Sequence, residues 1–317
     1  MKKSVTIFLT LLFMLTALSA CTSEASRAAL PEAEIIARRP IVDREGYTVY
    51  LPEIIETIIS IGPSNTEILV DLGFGGQIIS TDMFSSDVEG IAEGISVLDM
   101  MSLDVEFIIN LQPDIIFITG MTRVHGDDQL QLVSDLGTAV VYMPISASIA
   151  DIILDISFIA AVMDAQERGE EIIAEMEAEI DNVRQIAEKV TEERTVYFEI
   201  SPAPWMYSFG TGIFLNEMIE LAGAVNVFAN HEGWLGVSDE MLLVLNPDVI
   251  LTSTNFLPDP IADITDRPGW DAVTAVQNGD VFYIDANSSN RPSHNIVRAL
   301  REIASAVYPE LFPNPHQ

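Results

Sequence analysis

Short apolar runs at Thr57–Ile61, Gln77–Thr81, Ile115–Ile118 and Ala139–Met143 alternate with helical patterns at Asn65–Leu72, Val105–Leu111 and Asp128–Leu136. The runs are too short for helices and are bounded by turn residues, so they read as buried strands. Their alternation with helices predicts βαβ units on a mainly parallel sheet. From Ser148 to about Val190 the period becomes helical throughout. Ile149, Ile152, Ile153, Ile156, Ile159, Ala160 and Met163 form one stripe, no proline intervenes, and only Gly169 interrupts it. One long helix is expected there, with any bend at Gly169. The alternation then resumes, with strands predicted at Thr195–Ile200, Val249–Thr252 and Val281–Asp285. Helices are predicted at Ile213–Ala222, Asp239–Leu245 and His294–Tyr308. The order is lobe, long helix, lobe.

The two lobes share a repeated segment. Residues 106–119 read E-F-I-I-N-L-Q-P-D-I-I-F-I-T, and residues 240–253 read E-M-L-L-V-L-N-P-D-V-I-L-T-S. Each is a short helix opened by a carboxylate, stopped by a proline and followed by a buried strand. The repeat places Glu106 and Glu240 at equivalent points of two similarly built lobes. A matched pair of surface acids suits a partner with two matched faces.

The first twenty residues change the picture of location. Lys2 and Lys3 precede an uncharged apolar stretch from Val5 to Leu18, which ends in Ser19, Ala20 and Cys21. That stretch is too short to span a bilayer comfortably and has the layout of a secretion leader. Leu18–Cys21 resembles the lipobox of bacterial lipoproteins, which implies acylation of Cys21 and an extracytoplasmic, lipid-anchored protein. Cys21 is the only cysteine, so no internal disulfide is available. Residues 21–46 have no clear period and are expected to be a tether. The body then divides into a lobe over 47–146, the connecting helix over 147–192 and a lobe over 193–317. The formal net charge of −33 argues against nucleic-acid partners and against a basic membrane-binding face.

The segments I-I-S-I-G-P-S-N-T-E-I-L-V-D-L-G (58–73), L-A-G-A-V-N-V-F (221–228), G-W-L-G-V-S-D-E (233–240) and G-D-V-F-Y-I-D (279–285), with the two Glu-to-Pro-Asp stretches, carry a resemblance. Their order from Tyr47 onward resembles the helical-backbone class of ABC-importer substrate-binding proteins, which carry cobalamin, ferric siderophores or haem. The resemblance implies an α/β fold of two Rossmann-like lobes, with mainly parallel sheets, joined by one long backbone helix. It implies a metal chelate held in the cleft as cargo, no permanently bound cofactor, and delivery to a permease dimer with its ATPase. The chain would act as a monomer. Glu106 and Glu240 match the acids that dock on the permease; the alternative is that each only favours a helix N-terminus.

In open α/β sheets ligands meet the loops beyond the carboxyl ends of the strands. Those loops hold Trp205, Met206, Tyr207 and Phe209 after the strand at 195–200, and Arg291 and His294 after the strand at 281–285. In the first lobe they hold Asp82, Met83 and Phe84, then Met121, Arg123 and His125. Trp234, between two glycines, and Arg291 match family positions that line the cleft. Loop aromatics offer flat apolar surface or serve as lids on the local core. Arg291 suits either an anionic ligand group or neighbouring carboxylates, and His294 suits either a metal or a helix cap. The Gly210–Gly212 turn is glycine punctuation before a helix.

Other classes find little support. The chain has no G-x-S-x-G, G-x-x-x-x-G-K-[ST], H-E-x-x-H or C-x-x-C, so no enzyme motif is evident. Its four histidines, His125, His231, His294 and His316, are few for a bare-metal site. The aromatics favour a large, partly flat ligand. Scarce cleft cations disfavour a highly anionic ferric tricatecholate. Cobalamin and moderately charged ferric siderophores rank together, with haem behind.

Overall fold

A computed structural model of the chain describes residues 39–123 and 129–313. The leader, Cys21, His125 and His316 lie outside these residues, as do the side chains of Met121 and Arg123.

Residues 39–46, expected to belong to the tether, are part of the folded body. Strand β1 (Arg39–Val42) pairs antiparallel with β2 (Thr48–Leu51). The buried carboxylate of Asp43 closes their turn by accepting from the amides of Glu45 (3.0 Å) and Tyr47 (2.8 Å). It also accepts from Tyr142 N (3.1 Å), which ties the hairpin to the first lobe.

That lobe runs β3 (Ile58–Ile61), α1 (Pro63–Asp71), β4 (Ile78–Asp82), β5 (Ser96–Leu98), α2 (Val105–Leu111), β6 (Ile115–Thr119), α3 (Gln131–Asp135) and β7 (Ala139–Met143). The strand order is β5-β4-β3-β6-β7, with every neighbour parallel. Strands β3 and β7 are buried at every position, as helices on both faces of a parallel sheet require; β7 is accordingly a continuous apolar run, and β3 departs from one only at Ser60, which bonds the Thr66 hydroxyl (2.8 Å).

The long helical segment is two helices, α4 (Ile149–Val162) and α5 (Gln166–Ala187). Ser148 and Asp151 form a capping box that opens α4. The break falls at Asp164 rather than Gly169. Asp164 takes the left-handed conformation (φ 54°), and Ala165 N reaches back to Ala160 O (2.8 Å), which closes a Schellman turn. Gly169 has a different task. A Cβ there would lie 2.5 Å from Ala160 Cβ, so the glycine lets α5 cross α4 closely. With 22 residues, α5 is about 33 Å long and is the backbone helix that bridges the lobes. Near its start Arg168 donates to Asp71 O (3.1 Å) in the first lobe, and further along Glu179 pairs with Arg301 in the second.

The second lobe runs β8 (Thr195–Glu199), β9 (Tyr207–Phe209), α6 (Phe214–Leu221), β10 (Val225–Asn226), β11 (Trp234–Gly236), α7 (Asp239–Leu245), β12 (Val249–Thr252), α8 (Pro260–Thr265), α9 (Thr274–Asn278), β13 (Val281–Tyr283), α10 (Ala286–Asn290) and α11 (Ile296–Val307). Its parallel sheet has the order β10-β8-β12-β13, and β9 and β11 form a separate antiparallel pair.

The repeat is structural as well as sequential. Helix α2 ends at Gln112 and α7 at Asn246, both left-handed (φ 50° and 46°), ahead of the two Pro-Asp pairs. Asp114 then accepts from the amide and hydroxyl of Thr57 (both 2.9 Å), and Asp248 accepts from those of Thr195 (2.8 and 2.7 Å). Each aspartate thus ties the start of its own strand to the start of the lobe's first strand.

Candidate functional site

Both sheets reverse their order at the first strand of the lobe, since β4 and β6 flank β3 while β10 and β12 flank β8. The carboxyl ends of those two strands are where a ligand crevice belongs. A cavity of about 900 Å³ opens there between the lobes. The first lobe lines it with Gly62–Asn65, with Met83 and Phe84, and with Met143–Ala147. The second contributes Ile200, Ile213–Leu215, Trp234, Asn255 and the segment around Asn287–Pro292.

Two matching helix starts form part of the wall. Gly62 and Gly73 bracket α1, and Gly212 and Gly223 bracket α6 at the same spacing, all four with positive φ. Neither helix has a side-chain cap at its N-terminus. Each also carries a glutamate at the same place that reaches out of its lobe. Glu67 accepts from Arg291 Nη1 (3.1 Å), Asn295 Nδ2 (3.0 Å) and the Ser293 hydroxyl. Glu217 accepts from Ile149 N (3.0 Å) at the start of α4, and burial raises its pKa above the usual carboxylate range.

The charges on the described lining residues are internally matched. Arg291 is spent on Glu67, on Asp87 Oδ1 (2.7 Å) and on the carbonyl of Phe84 (2.8 Å). Asn287 donates to the other oxygen of Asp87 (2.8 Å). Asp155 receives Arg44 (2.7 Å) and the Ser146 hydroxyl; burial raises its pKa and these partners oppose that rise. The rest of the wall is methionine, aliphatic and aromatic side chains, with asparagine amides and serine hydroxyls.

Of the residues singled out from the sequence, Met83, Phe84, Trp234 and Arg291 line the cavity. Tyr207 backs Trp234 by stacking, with ring centroids 6.3 Å apart and planes 14° apart, and lies behind the wall. Trp205 stands outside it, 83% exposed at the tip of the β8–β9 connection. Asp82 is fully buried, and its carboxylate accepts from Gly62 N (2.7 Å), Phe84 N (2.8 Å) and Ser85 Oγ. It shapes the loop that presents Met83 and Phe84 rather than touching the cavity. The His294 imidazole lies against the carboxylate of Asp71 in the first lobe, and this contact lowers the Asp71 pKa. His294 therefore fastens the lobes together. Arg291 likewise spans them, and both of its terminal nitrogens are engaged by protein acceptors.

The sequence reading missed the α1 and α6 starts, Ile145–Ala147 and the asparagines around α10. The G-P-S-N that follows the first strand of the body was the available signal, because it sits at the switch point.

Glu106 and Glu240 are exposed and lie away from the cavity, in the first turns of α2 and α7. Asp104 caps α2 by accepting from Phe107 N (2.9 Å), and Ser238 caps α7. The helix-start amide and the Ser238 hydroxyl lower the Glu240 pKa, so the acid is ionised at neutral pH. Among the described residues no cluster of potential metal ligands occurs, and no helix is long and apolar enough to cross a membrane.

Two parallel-sheet lobes on a common helix, closing on one large apolar cavity, define a protein that binds a solute between its lobes. The chain belongs to the periplasmic binding protein family, whose pattern it matches over residues 58–288. It is 25% identical over 319 residues to the uncharacterized ABC transporter substrate-binding lipoprotein YvrC of Bacillus subtilis, covering 98% of this chain and 99% of that one. It is 26% identical over 253 residues to the vitamin B12-binding protein of Vibrio cholerae, covering 79% and 88%. A crystal structure of a possible iron-binding protein from Staphylococcus epidermidis superposes with a TM-score of 0.72 at 28% identity, over 80% of this chain and 99% of that one.

Proposed function

We propose that the chain is the extracytoplasmic solute-binding component of an ABC importer, and that its cleft takes a bulky metal chelate of little net charge. Corrinoids and hydroxamate-type ferric siderophores are the ligand classes that fit, with haem as the alternative. The carrying observation is the pairing of the lining charges. Arg291, Asp87 and Asp155 all have partners within the protein, so a strongly anionic ligand would enter without a counter-charge among the described residues. The volume lies at the upper end for ligand sites, and the wall of Met, Phe and Trp with scattered amides suits a large ring or chelate edged by carbonyl and amide groups.

The metal travels with the cargo, and the protein catalyses nothing in this reading. Glu106 and Glu240 engage basic residues on the two halves of the permease dimer, and Cys21 carries the lipid that holds the protein at the outer face of the membrane.

Absorption titration and thermal melts with cyanocobalamin, ferrichrome, haemin and ferric enterobactin test the ligand class. Cyanocobalamin or ferrichrome should bind and raise the melting temperature, because a ligand at a hundredfold excess over Kd adds about 2.7 kcal/mol. Tight binding of ferric enterobactin alone would refute the charge argument.

A further inference from the structure

The second lobe buries an ionic cluster that the cavity does not use. Arg267 is 7% exposed at its side chain and grips Glu199, itself 1% exposed, with both terminal nitrogens (2.7 and 2.8 Å). It also reaches Asp263 (2.7 Å) and lies 3.3 Å from the Met206 sulfur. Its guanidinium sits over the ring of Trp270, 4.7 Å from the centroid. Trp270 is fully buried and donates its indole N–H to Asp239 (2.8 Å).

The two ends of this chain of contacts matter. Glu199 ends β8 and directly precedes cavity-lining Ile200, and Met206 anchors the loop that carries Trp205 and leads into Tyr207. Asp239 is the first residue of α7 and the neighbour of Glu240. In the first lobe the comparable α2 is held at its start by the Asp104 cap on Phe107 N (2.9 Å). A charged group this deeply buried is costly unless paired, and the bonds from both terminal nitrogens of Arg267, with its Nε left unbonded, make a stiff unit with little freedom to slide.

We propose that the Arg267–Trp270 unit couples the ligand-side loop at 200–207 to the α7 end that carries Glu240, with Arg267 and Trp270 as positioning residues. The coupling stands on the geometry alone; its service to permease docking rests on the function proposed above. Loading the cleft would then stiffen the α7 end, and docking at α7 would be felt at the Trp205–Tyr207 loop, because coupling between two sites is reciprocal.

The test needs no ligand. Amide hydrogen exchange is followed in the intact protein for Glu199→Gln, Trp270→Phe and the double variant. Trp270→Phe removes the bond to Asp239 at the α7 end and part of the ring under Arg267, and it should speed exchange at Ile200 and Tyr207 severalfold. These amides donate to Tyr207 O (2.9 Å) and Ser201 O (3.2 Å). Glu199→Gln, at the loop end, should speed exchange at Leu242 and Asn246 of α7 by a similar factor, and the double variant should fall short of the product of the two effects. Tyr308→Phe, which removes a buried hydroxyl from Arg194 N (2.9 Å) and Gly223 O (2.8 Å) elsewhere in the second lobe, controls for general loosening. Effects confined to the substituted element, or effects that multiply independently, would overturn the proposal. Failure of Glu240 variants to alter uptake would instead count against the docking role and leave the coupling standing.

Discussion

Removing Arg291 puts the largest load on the interface between the lobes. In Arg291→Ala, Glu67 loses a partner at 3.1 Å while both side chains are about nine-tenths buried (10% and 9% exposed). Breaking a buried pair costs about 3–5 kcal/mol, and the open cavity beside this one favours the low end. Glu67 also keeps Ser293 and Asn295, which softens the loss. Asp87 is 53% exposed, so its share is screened to below about 1 kcal/mol. The Phe84 carbonyl adds about 1 kcal/mol. The expected total is about 3–4 kcal/mol, seen in urea unfolding and as a melting temperature lower by about 10 °C.

Arg291→Lys should recover only part of this. An ammonium can meet one carboxylate but cannot span Glu67, Asp87 and the carbonyl with a planar fork. A cycle with Glu67→Gln should show coupling of about 1 kcal/mol or more. Because the contacts join the lobes, a reduced m-value would mark loss of their cooperative unfolding. If Arg291→Ala melts within about 2 °C of the parent, or the cycle is additive, the guanidinium is not committed to the lobes. It would then be free to hold a ligand anion, and the charge argument for a weakly charged chelate would fall with it.

Three further outcomes follow from the same structure. Charge reversal at Glu106 and Glu240 together should leave ligand affinity unchanged and abolish uptake in cells, and undiminished transport by the double variant would remove the docking assignment. Trp234→Ala should weaken ligand binding about tenfold, at roughly 1.4 kcal/mol for a lost aromatic face, with little change in melting temperature; unaltered affinity in the absorption titration would place the ligand elsewhere. Gly169→Ala gains about 1 kcal/mol in helix propensity but drives a Cβ to 2.5 Å from Ala160 Cβ. A net loss of about 1–2 kcal/mol in chemical denaturation is expected, relieved by Ala160→Gly, and a stabilised single variant would contradict the close crossing of α4 and α5.

The parts of this molecule that were legible in its sequence are those decided by neighbours in the chain. Buried parallel strands write themselves as continuous apolar runs, and the Glu-to-Pro-Asp segment repeats because each copy performs the same local task. Even there the aspartate's role needed the structure, since Thr57 and Thr195 lie 57 and 53 residues from Asp114 and Asp248. The break between α4 and α5 was misplaced for a similar reason. Glycine is the stronger signal for a bend, yet Gly169 is spent on a helix crossing, while Asp164 fills the left-handed position that aspartate tolerates at modest cost.

The polar candidates of the cleft share one fate, and it has a cause. A charged side chain in a loop after a strand can be satisfied by any complementary group the fold brings near, and the other lobe supplies many. Arg291 finds Glu67 at a separation of 224 residues, and Asp82 finds the amide of Gly62 and the turn it caps itself. His294 finds Asp71 by the same route across the lobes. No pattern along the chain announces such partners, so polar candidates drawn from loop position alone are overcounted as ligand contacts. A large apolar side chain has no such partner and is either stacked against a neighbour, as Tyr207 is behind Trp234, or left exposed, as Trp205 is outside the cavity. Phe84, 53% exposed, and Trp234, 46% exposed, remain partly uncovered after folding. At the carboxyl ends of two switch-point strands, the cover they lack is what a ligand would supply.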